Sequence, residues 1–275
     1  MSQQANITNC LTIDVEEHFQ VAAFENIINP KDWDQHPSRV VINTRLILDL
    51  LDKYKTKATF FIVGWTAERH PKLVQEICKR GHDIGCHSYL HQKVYDLTPE
   101  EFREDTRKAK DILEQITGMK IRGYRAPSYS ITKKSLWALD ILEELCFEYD
   151  SSIFPIHHDR YGIPDAPRFP YKIPGHNLQE YPISTSLFLG RKLPVSGGGY
   201  FRLFPYWLTK MALKSINEKE RKPFVFYIHP WEVDSDQPRF KDASRLSKFR
   251  HYNNLGKTVS RFERLLSHFK FGTIP

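Results

Sequence analysis

Short apolar, β-branched runs that stop abruptly at polar residues, with helix-patterned segments between them, constrain the fold of this chain more than any other feature. Residues 10–15 (CLTIDV), 58–63 (ATFFIV), 83–86 and 123–126 have the length and composition of buried strands. Between them, residues 41–54 carry Leu46, Ile47, Leu50 and Leu51 at helical spacing. Residues 71–80 open with Pro71 and are followed by Gly81, a start and a stop signal. Thr98, Pro99 and Glu101 stand in capping-box register at the head of another helix, and residues 133–145 repeat the pattern. The alternation predicts an α/β architecture, a parallel sheet with helices outside it, closed as a barrel or open. A late strand at 224–228 (FVFYI) and an amphipathic C-terminal helix at 255–269 complete it.

A length of 275 residues suits one unit, so residues 1–275 are read as a single domain with its motif-bearing core at 10–150 and 224–232. Residues 151–223 break the rhythm. The stretch 151–205 holds 8 of the 17 prolines and 6 of the 13 glycines, which predicts an irregular insertion of the kind that often carries function. The net charge of +7 is also local: between residues 239 and 270, nine Lys and Arg face only Asp242 and Glu263, leaving 31 cations against 31 anions elsewhere. A balanced body without a recognition motif argues against nucleic acid as a partner. The basic segment 239–275 reads as a solvated face whose partner, if it has one, is an anionic glycan or membrane surface met through Arg245, Lys248 and Arg250. No run approaches the roughly 18 to 20 apolar residues of a membrane span. Residues 1–9 are polar, without a secretory apolar core, and the four cysteines show no CxxC spacing; a cytoplasmic, reduced protein is expected.

In a parallel α/β sheet, chemistry gathers where the strands end. Those ends offer Asp14, Glu16, Glu17 and His18, then His87 and His91, then Arg125, and finally His229. His87 and His91, four apart in HSYLH, would share one face of a helical turn and can give a divalent metal two nitrogens, with a carboxylate from another strand as third ligand. Asp14 and Glu16, at i and i+2, project to one side of an extended chain, so one can bind metal while the other takes a proton from water. His229 is suited to protonate a leaving amine if a carboxylate orients its ring, and Asp150 is a candidate for that. Arg125 either makes a structural ion pair or tunes the first-strand carboxylate. Each residue also has a plain structural role open to it, as a cap, a strand-end polar group or a hydrogen-bonded core side chain.

At these residues the sequence resembles the polysaccharide deacetylase family, the NodB-homology domains of carbohydrate esterase family 4. The motifs come in the family's order between about residues 10 and 230: T-x-D at Thr12 to Asp14, H-S-x-x-H at His87 to His91, R-x-P at Arg125 to Pro127, an Asp motif at Asp150 and a strand ending in His229. DVEEHFQV, GCHSYLHQKVYDLTPEEFR and SGGGYFRL look like the subgroup associated with bacterial exopolysaccharide and exosortase gene clusters, whose C-terminal part is a family domain of its own. The resemblance implies a distorted (β/α) barrel, a divalent metal that is usually zinc, and hydrolysis of N-acetyl groups on N-acetylhexosamine units of a polysaccharide. It makes Asp14 the general base, His87 and His91 metal ligands, Arg125 the residue that tunes Asp14, and His229 the general acid with Asp150 behind it. Val15 stands where most members have a second, metal-binding aspartate, so Glu16 is assigned as third ligand, with Glu17 in reserve. A backbone N–H at Ser128 or Tyr129 is expected to hold the oxyanion. Tyr129, Trp231 and Tyr89, with Trp65 and residues 197–201, are the expected sugar contacts. An allantoinase-like amidohydrolase of a small non-glycan amide, and a glycan-binding module that has lost catalysis, are the competing readings.

Overall fold

Strand β1 (Asn9–Val15) is buried along its whole length, and its register decides where the polar residues after it emerge. In the computed structural model, which describes residues 7–275, β1 pairs in parallel with β2 (Thr59–Ile62) on one side and the late β10 on the other. Residues 1–6 of the polar N-terminal stretch lie outside the described residues. The sheet continues in parallel through β3 (Asp83–Cys86), β4 (Gly123–Tyr124) and β5 (Tyr149–Asp150). Strand β6 (Tyr171–Lys172) lies outermost, antiparallel to β7 (Gln179–Glu180), which itself runs parallel to β5. A separate hairpin joins β8 (Thr185–Phe188) to β9 (Arg191–Pro194). Strands β10 (Val225–Ile228) and β11 (Phe271–Gly272) return to β1, giving the order β10-β1-β2-β3-β4-β5-β7-β6 in a curled half-barrel.

Helices α1 (Val40–Lys53), α2 (Gly64–Arg69), α3 (Pro71–Lys79), α4 (Pro99–Thr117) and α5 (Trp137–Glu144) alternate with the first five strands; all but the short α2 are expected from the hydrophobic pattern. The core between sheet and helices is filled by Leu11, Ile13, Phe60, Ile47 and Leu51, all without solvent exposure. The expected capping box is present: the Thr98 hydroxyl accepts from the Glu101 N–H at 3.2 Å, and the Glu101 carboxylate accepts from the Thr98 N–H at 2.8 Å. Among the described residues no helix is long and apolar enough to cross a membrane. All four cysteines are free thiols.

The segment expected to be irregular is more ordered than its proline and glycine content suggests. It supplies β6 to β9 and two helices, α6 (Gly198–Leu203) and α7 (Tyr206–Glu218), that the sequence reading did not identify. The first two of its three consecutive glycines, Gly197 and Gly198, also have a packing cause. The chain at Ser196 and Gly197 lies along β10, with the Tyr227 N–H donating to the Ser196 carbonyl at 2.9 Å. A Cβ on Gly197 (φ +135°) would come within 2.0 Å of the Tyr227 carbonyl oxygen, and one on Gly198 (φ +51°) within 2.3 Å of the Tyr227 hydroxyl. Beyond β10, helix α8 (Arg245–Tyr252) and helix α9 (Thr258–His268) lead to β11.

Candidate active site

Asp14 ends up on the polar side of β1 because its neighbours Ile13 and Val15 point into the core, where both are fully buried. Its Oδ1 accepts from Arg125 Nη1 at 2.6 Å. Arg125, itself without solvent exposure, donates as well to the Ser151 carbonyl (Nε, 3.0 Å), the Ser151 hydroxyl (Nη2, 2.8 Å) and Thr12 Oγ1 (Nη1, 2.7 Å). Its plane lies over the Phe61 ring at 4.3 Å. A guanidinium held on every side fixes the carboxylate it binds.

Glu16 follows on the same side. Its Oε1 accepts from Trp231 Nε1 at 2.9 Å, while the buried Oε2 has no hydrogen-bond donor and lies 2.5 Å from His91 Nε2 and 3.9 Å from His87 Nε2. His87 Nδ1–H donates to the Arg125 carbonyl at 2.7 Å, which leaves Nε2 free to face the carboxylate. One ligand atom from each of Glu16, His87 and His91 lies within 4.8 Å of the others. An orphaned buried carboxylate oxygen beside two ring nitrogens is a donor set that fits a divalent cation. Burial drives the His87 pKa down to about 4, against the pull of Asp14 and Glu16. Burial would raise that of Glu16, but His91, His229 and His87 together hold it well below the carboxylate range. Both groups are therefore in their ligating forms near neutrality.

The two histidines do not share a helical turn. Ser88 (φ +61°) and His91 (φ +52°) adopt left-handed backbone, and this bend brings the rings to 5.1 Å between centroids. Asp105 of α4 clamps it by accepting from the Tyr89 and Leu90 N–H groups at 2.7 and 3.0 Å. Ser128 and Tyr129, across the site, are also left-handed. Four non-glycine residues in this region are costly, and they persist where packing over-determines them.

His229 projects from the end of β10 with Nε2 at 3.9 Å from Asp14 Oδ2 and 3.7 Å from Glu16 Oε1. Its expected partner is displaced. Glu232, not Asp150, binds the ring: Glu232 Oε2 lies 2.9 Å from Nδ1 and also accepts the His229 N–H at 3.0 Å. Asp150 is buried on β5, bound to the Ser152 hydroxyl and set against Glu180, and burial pushes its pKa up to about 6. Its role is in that carboxyl pair, because the sheet curls β5 away from β10. Burial disfavours the His229 cation, but Glu16, Glu232 and Asp14 outweigh it and raise its pKa to about 9. Arg202 Nε in turn donates to Glu232 Oε1 at 2.6 Å. Sequence reading missed Glu232, Arg202 and Asp105; only Glu232 had a visible signal, three residues after His229 in IHPWE.

Other expected residues divide. Glu17 turns away from the metal ligands and caps α1, accepting from the Ser38 hydroxyl and from the Arg39 and Val40 N–H groups. His18 packs on Phe240, and Trp65 sits among Phe19 and Trp33 in the core. Tyr89 is off the site: its hydroxyl donates to Glu68 at 2.8 Å and Lys108 covers its ring. Tyr129 lines the cavity, buried. Trp231 lines it too, stacked between His229 and His251, with its N–H committed to Glu16.

Asp14, Glu16, His87, His91 and His229 thus meet at one cavity of about 500 Å³. The basic segment is part of its wall rather than a remote face: Leu246, Phe249 and Arg250 of α8 line it, while Arg245 and Lys248 do not.

Residues 33–144 match the family described as Polysaccharide deacetylase, and residues 151–275 match a Domain of unknown function, DUF3473. A peptidoglycan-N-acetylglucosamine deacetylase of Bacillus cereus is 36% identical over 98 residues, 35% of this chain and 36% of that protein. The peptidoglycan-N-acetylmuramic acid deacetylase PdaC of Bacillus subtilis is 32% identical over 114 residues, 38% and 24% of the two chains. The alignments therefore span about a third or less of these relatives' own length. In fold, a Mycobacterium smegmatis protein assigned to the polysaccharide deacetylases superposes with a TM-score of 0.63 at 19% identity, over 99% of this chain and 88% of the other. A family 4 carbohydrate esterase from Streptomyces lividans superposes at 0.53 and 14% identity, over 98% and 92%. This chain therefore carries a polysaccharide deacetylase domain at residues 33–144 and a DUF3473 domain at 151–275, on a fold shared with the Mycobacterium smegmatis protein.

Proposed function

We propose that this protein is a metal-dependent hydrolase that removes N-acetyl groups from N-acetylhexosamine units of a bacterial polysaccharide, an exopolysaccharide or a related glycan. One juxtaposition supports this most: the ligand atoms of Glu16, His87 and His91 within 4.8 Å, flanked in one cavity by the Asp14 carboxylate and the His229 imidazole. A donor set of two imidazoles and a carboxylate suits zinc, which when bound polarises an acetyl carbonyl and a water. Asp14 Oδ2 takes the proton from the attacking water, while Arg125 on Oδ1 keeps the carboxylate aimed. The Tyr129 N–H is already spent on the Ala126 carbonyl at 3.1 Å, so the Ser128 N–H is the donor proposed for the oxyanion. His229 gives its Nε2 proton to the departing sugar nitrogen, and Glu232 steadies the ring. Water and the amide yield acetate and a free amine.

The test is acetate release by zinc-restored protein from chito-oligosaccharides and from bacterial exopolysaccharide. Release that stops on chelation and returns with zinc is the expected result, with Asp14→Asn slower by about 10² to 10⁴-fold. One bound zinc per chain should disappear in His87→Ala and Glu16→Ala. No release from any amino-sugar substrate, or release indifferent to metal, sinks the proposal.

A further inference from the structure

We infer that the outer part of the cavity is an anion subsite, so that the glycan this chain acts on carries a negatively charged group near its N-acetylated sugar. The inference rests on the deacetylase reading and names the substrate class within it. Two arginines about ninety residues apart in sequence reach the same cavity: Arg160, half-buried in the segment after β5, and Arg250, exposed on α8. Among the described residues the Arg160 guanidinium donates only a long hydrogen bond, 3.4 Å from Nη1 to the Ala22 carbonyl. Among the described residues neither guanidinium has a carboxylate partner. Arg202, which also lines the cavity, is by contrast bound to Glu232. Asp159, the nearest acidic neighbour in sequence, pairs with His158 Nδ1 at 2.8 Å and does not line the cavity.

Among the described residues the carboxylates that line it are Asp14 and Glu16: Arg125 holds Asp14, and Trp231 holds Glu16 with its other oxygen turned to the His87 and His91 rings of the proposed metal site. Two unneutralised cations therefore face a concave, partly apolar space, where low-dielectric walls focus their field. The same wall offers apolar surface: Phe249 and Leu246 stand 55% and 57% exposed. Exposed apolar side chains beside free guanidinium forks suit a sugar ring that bears a carboxylate or a phosphate, each of which matches the fork in a bidentate manner.

Calorimetric titration of zinc-loaded Asp14→Asn protein, in which turnover is slowed by the loss of the general base, decides the matter. The carboxylate arm compares a hyaluronan tetrasaccharide with chitotetraose, and the phosphate arm compares N-acetylglucosamine 1-phosphate with N-acetylglucosamine. In at least one arm the charged ligand should bind about tenfold or more tightly, the value expected of one charge-assisted hydrogen-bonded pair. That preference should shrink as ionic strength rises and vanish in the added double variant Arg160→Gln, Arg250→Gln. The arm that responds identifies the anion. Equal affinity for charged and neutral ligands in both arms, or a preference that survives the double variant, overturns the inference. Acetate release by the wild-type enzyme is read separately. Acidic ligands bound selectively but never deacetylated would sink the deacetylase reading alone, and release without charge preference would sink only the subsite.

Discussion

At the scale of single residues, the candidate site depends on side chains that touch no substrate. Among the described residues the Trp231 N–H is the one donor on Glu16 Oε1, so it selects which carboxylate oxygen is left to face His87 and His91. Trp231→Phe keeps the stacking on His229 and His251 but frees Glu16 to rotate. Zinc affinity, measured by competition with a chromophoric chelator, should fall about 10 to 100-fold, the usual cost of losing an outer-shell partner. Unchanged affinity would mean that the indole serves packing alone. Glu232 acts similarly on His229, and it is one of the carboxylates that raise the ring's pKa to about 9. Glu232→Gln keeps a hydrogen bond and removes the charge, so the His229 pKa falls. Because His229 must be protonated to act as acid, the alkaline limb of the kcat profile should move to lower pH. A limb that stays in place would assign it to another group.

At the scale of elements, strand ends were legible and their pairing was not. CLTIDV, ATFFIV and FVFYI could be read as buried strands, and Asp14, Glu16, His87, His91, Arg125 and His229 do converge, because parallel strands all end on one side. What escaped reading depended on curvature or on single dihedral angles. HSYLH has helical spacing but reaches its geometry through left-handed Ser88 and His91, and β5 and β7 have two residues each, too few for periodicity to register. Helix α7 was legible in principle, since Tyr206, Thr209, Leu213 and Ile216 form a buried stripe, but the prolines and glycines before it masked the signal. The pairing of β5 with β7 sets Asp150 against Glu180, two carboxyls away from water. Burial raises the Asp150 pKa from 3.8 to about 6 and that of Glu180 well above its ordinary value. A carboxyl whose pKa is raised on folding stabilises the protonated native state below its unfolded pKa and loses that contribution as pH rises through the folded one. Thermal midpoints of the wild type should therefore fall relative to those of the double variant Asp150→Asn, Glu180→Gln as pH increases from about 4 through 6 and beyond. Parallel curves across that range would show that the pair is not the source.

At the scale of the whole molecule, the site belongs to neither sequence family by itself. Asp14 and Glu16 precede the deacetylase match, His87, His91 and Arg125 lie within it, and His229 lies in the DUF3473 match. Within the DUF3473 match, Arg202 joins the His229 corner of the site to helix α8. Its guanidinium is 2% exposed and donates to Glu232 Oε1 and to the carbonyls of Arg250, His251 and Asn253 at the end of α8, at 2.6 to 2.9 Å. One side chain thus holds the orienting carboxylate of His229 and ties down the helix that walls the cavity, satisfying helix-end carbonyls that would otherwise be buried without donors. Arg202→Met removes the cation and leaves Glu232 buried and unpaired except for His229. Breaking a buried pair in this way typically costs about 3 to 5 kcal/mol, and the carbonyls of α8 lose their donor as well. The midpoint of denaturant unfolding should drop accordingly, and hydrogen exchange at the amides of α8 should quicken. Arg202→Lys separates charge from geometry. One ammonium can reach Glu232 but cannot also span the three carbonyls, so this variant should recover much of the stability while α8 stays exchange-labile. If α8 is as protected in Arg202→Lys as in the wild type, the fork is dispensable and α8 is held against the cavity by packing alone.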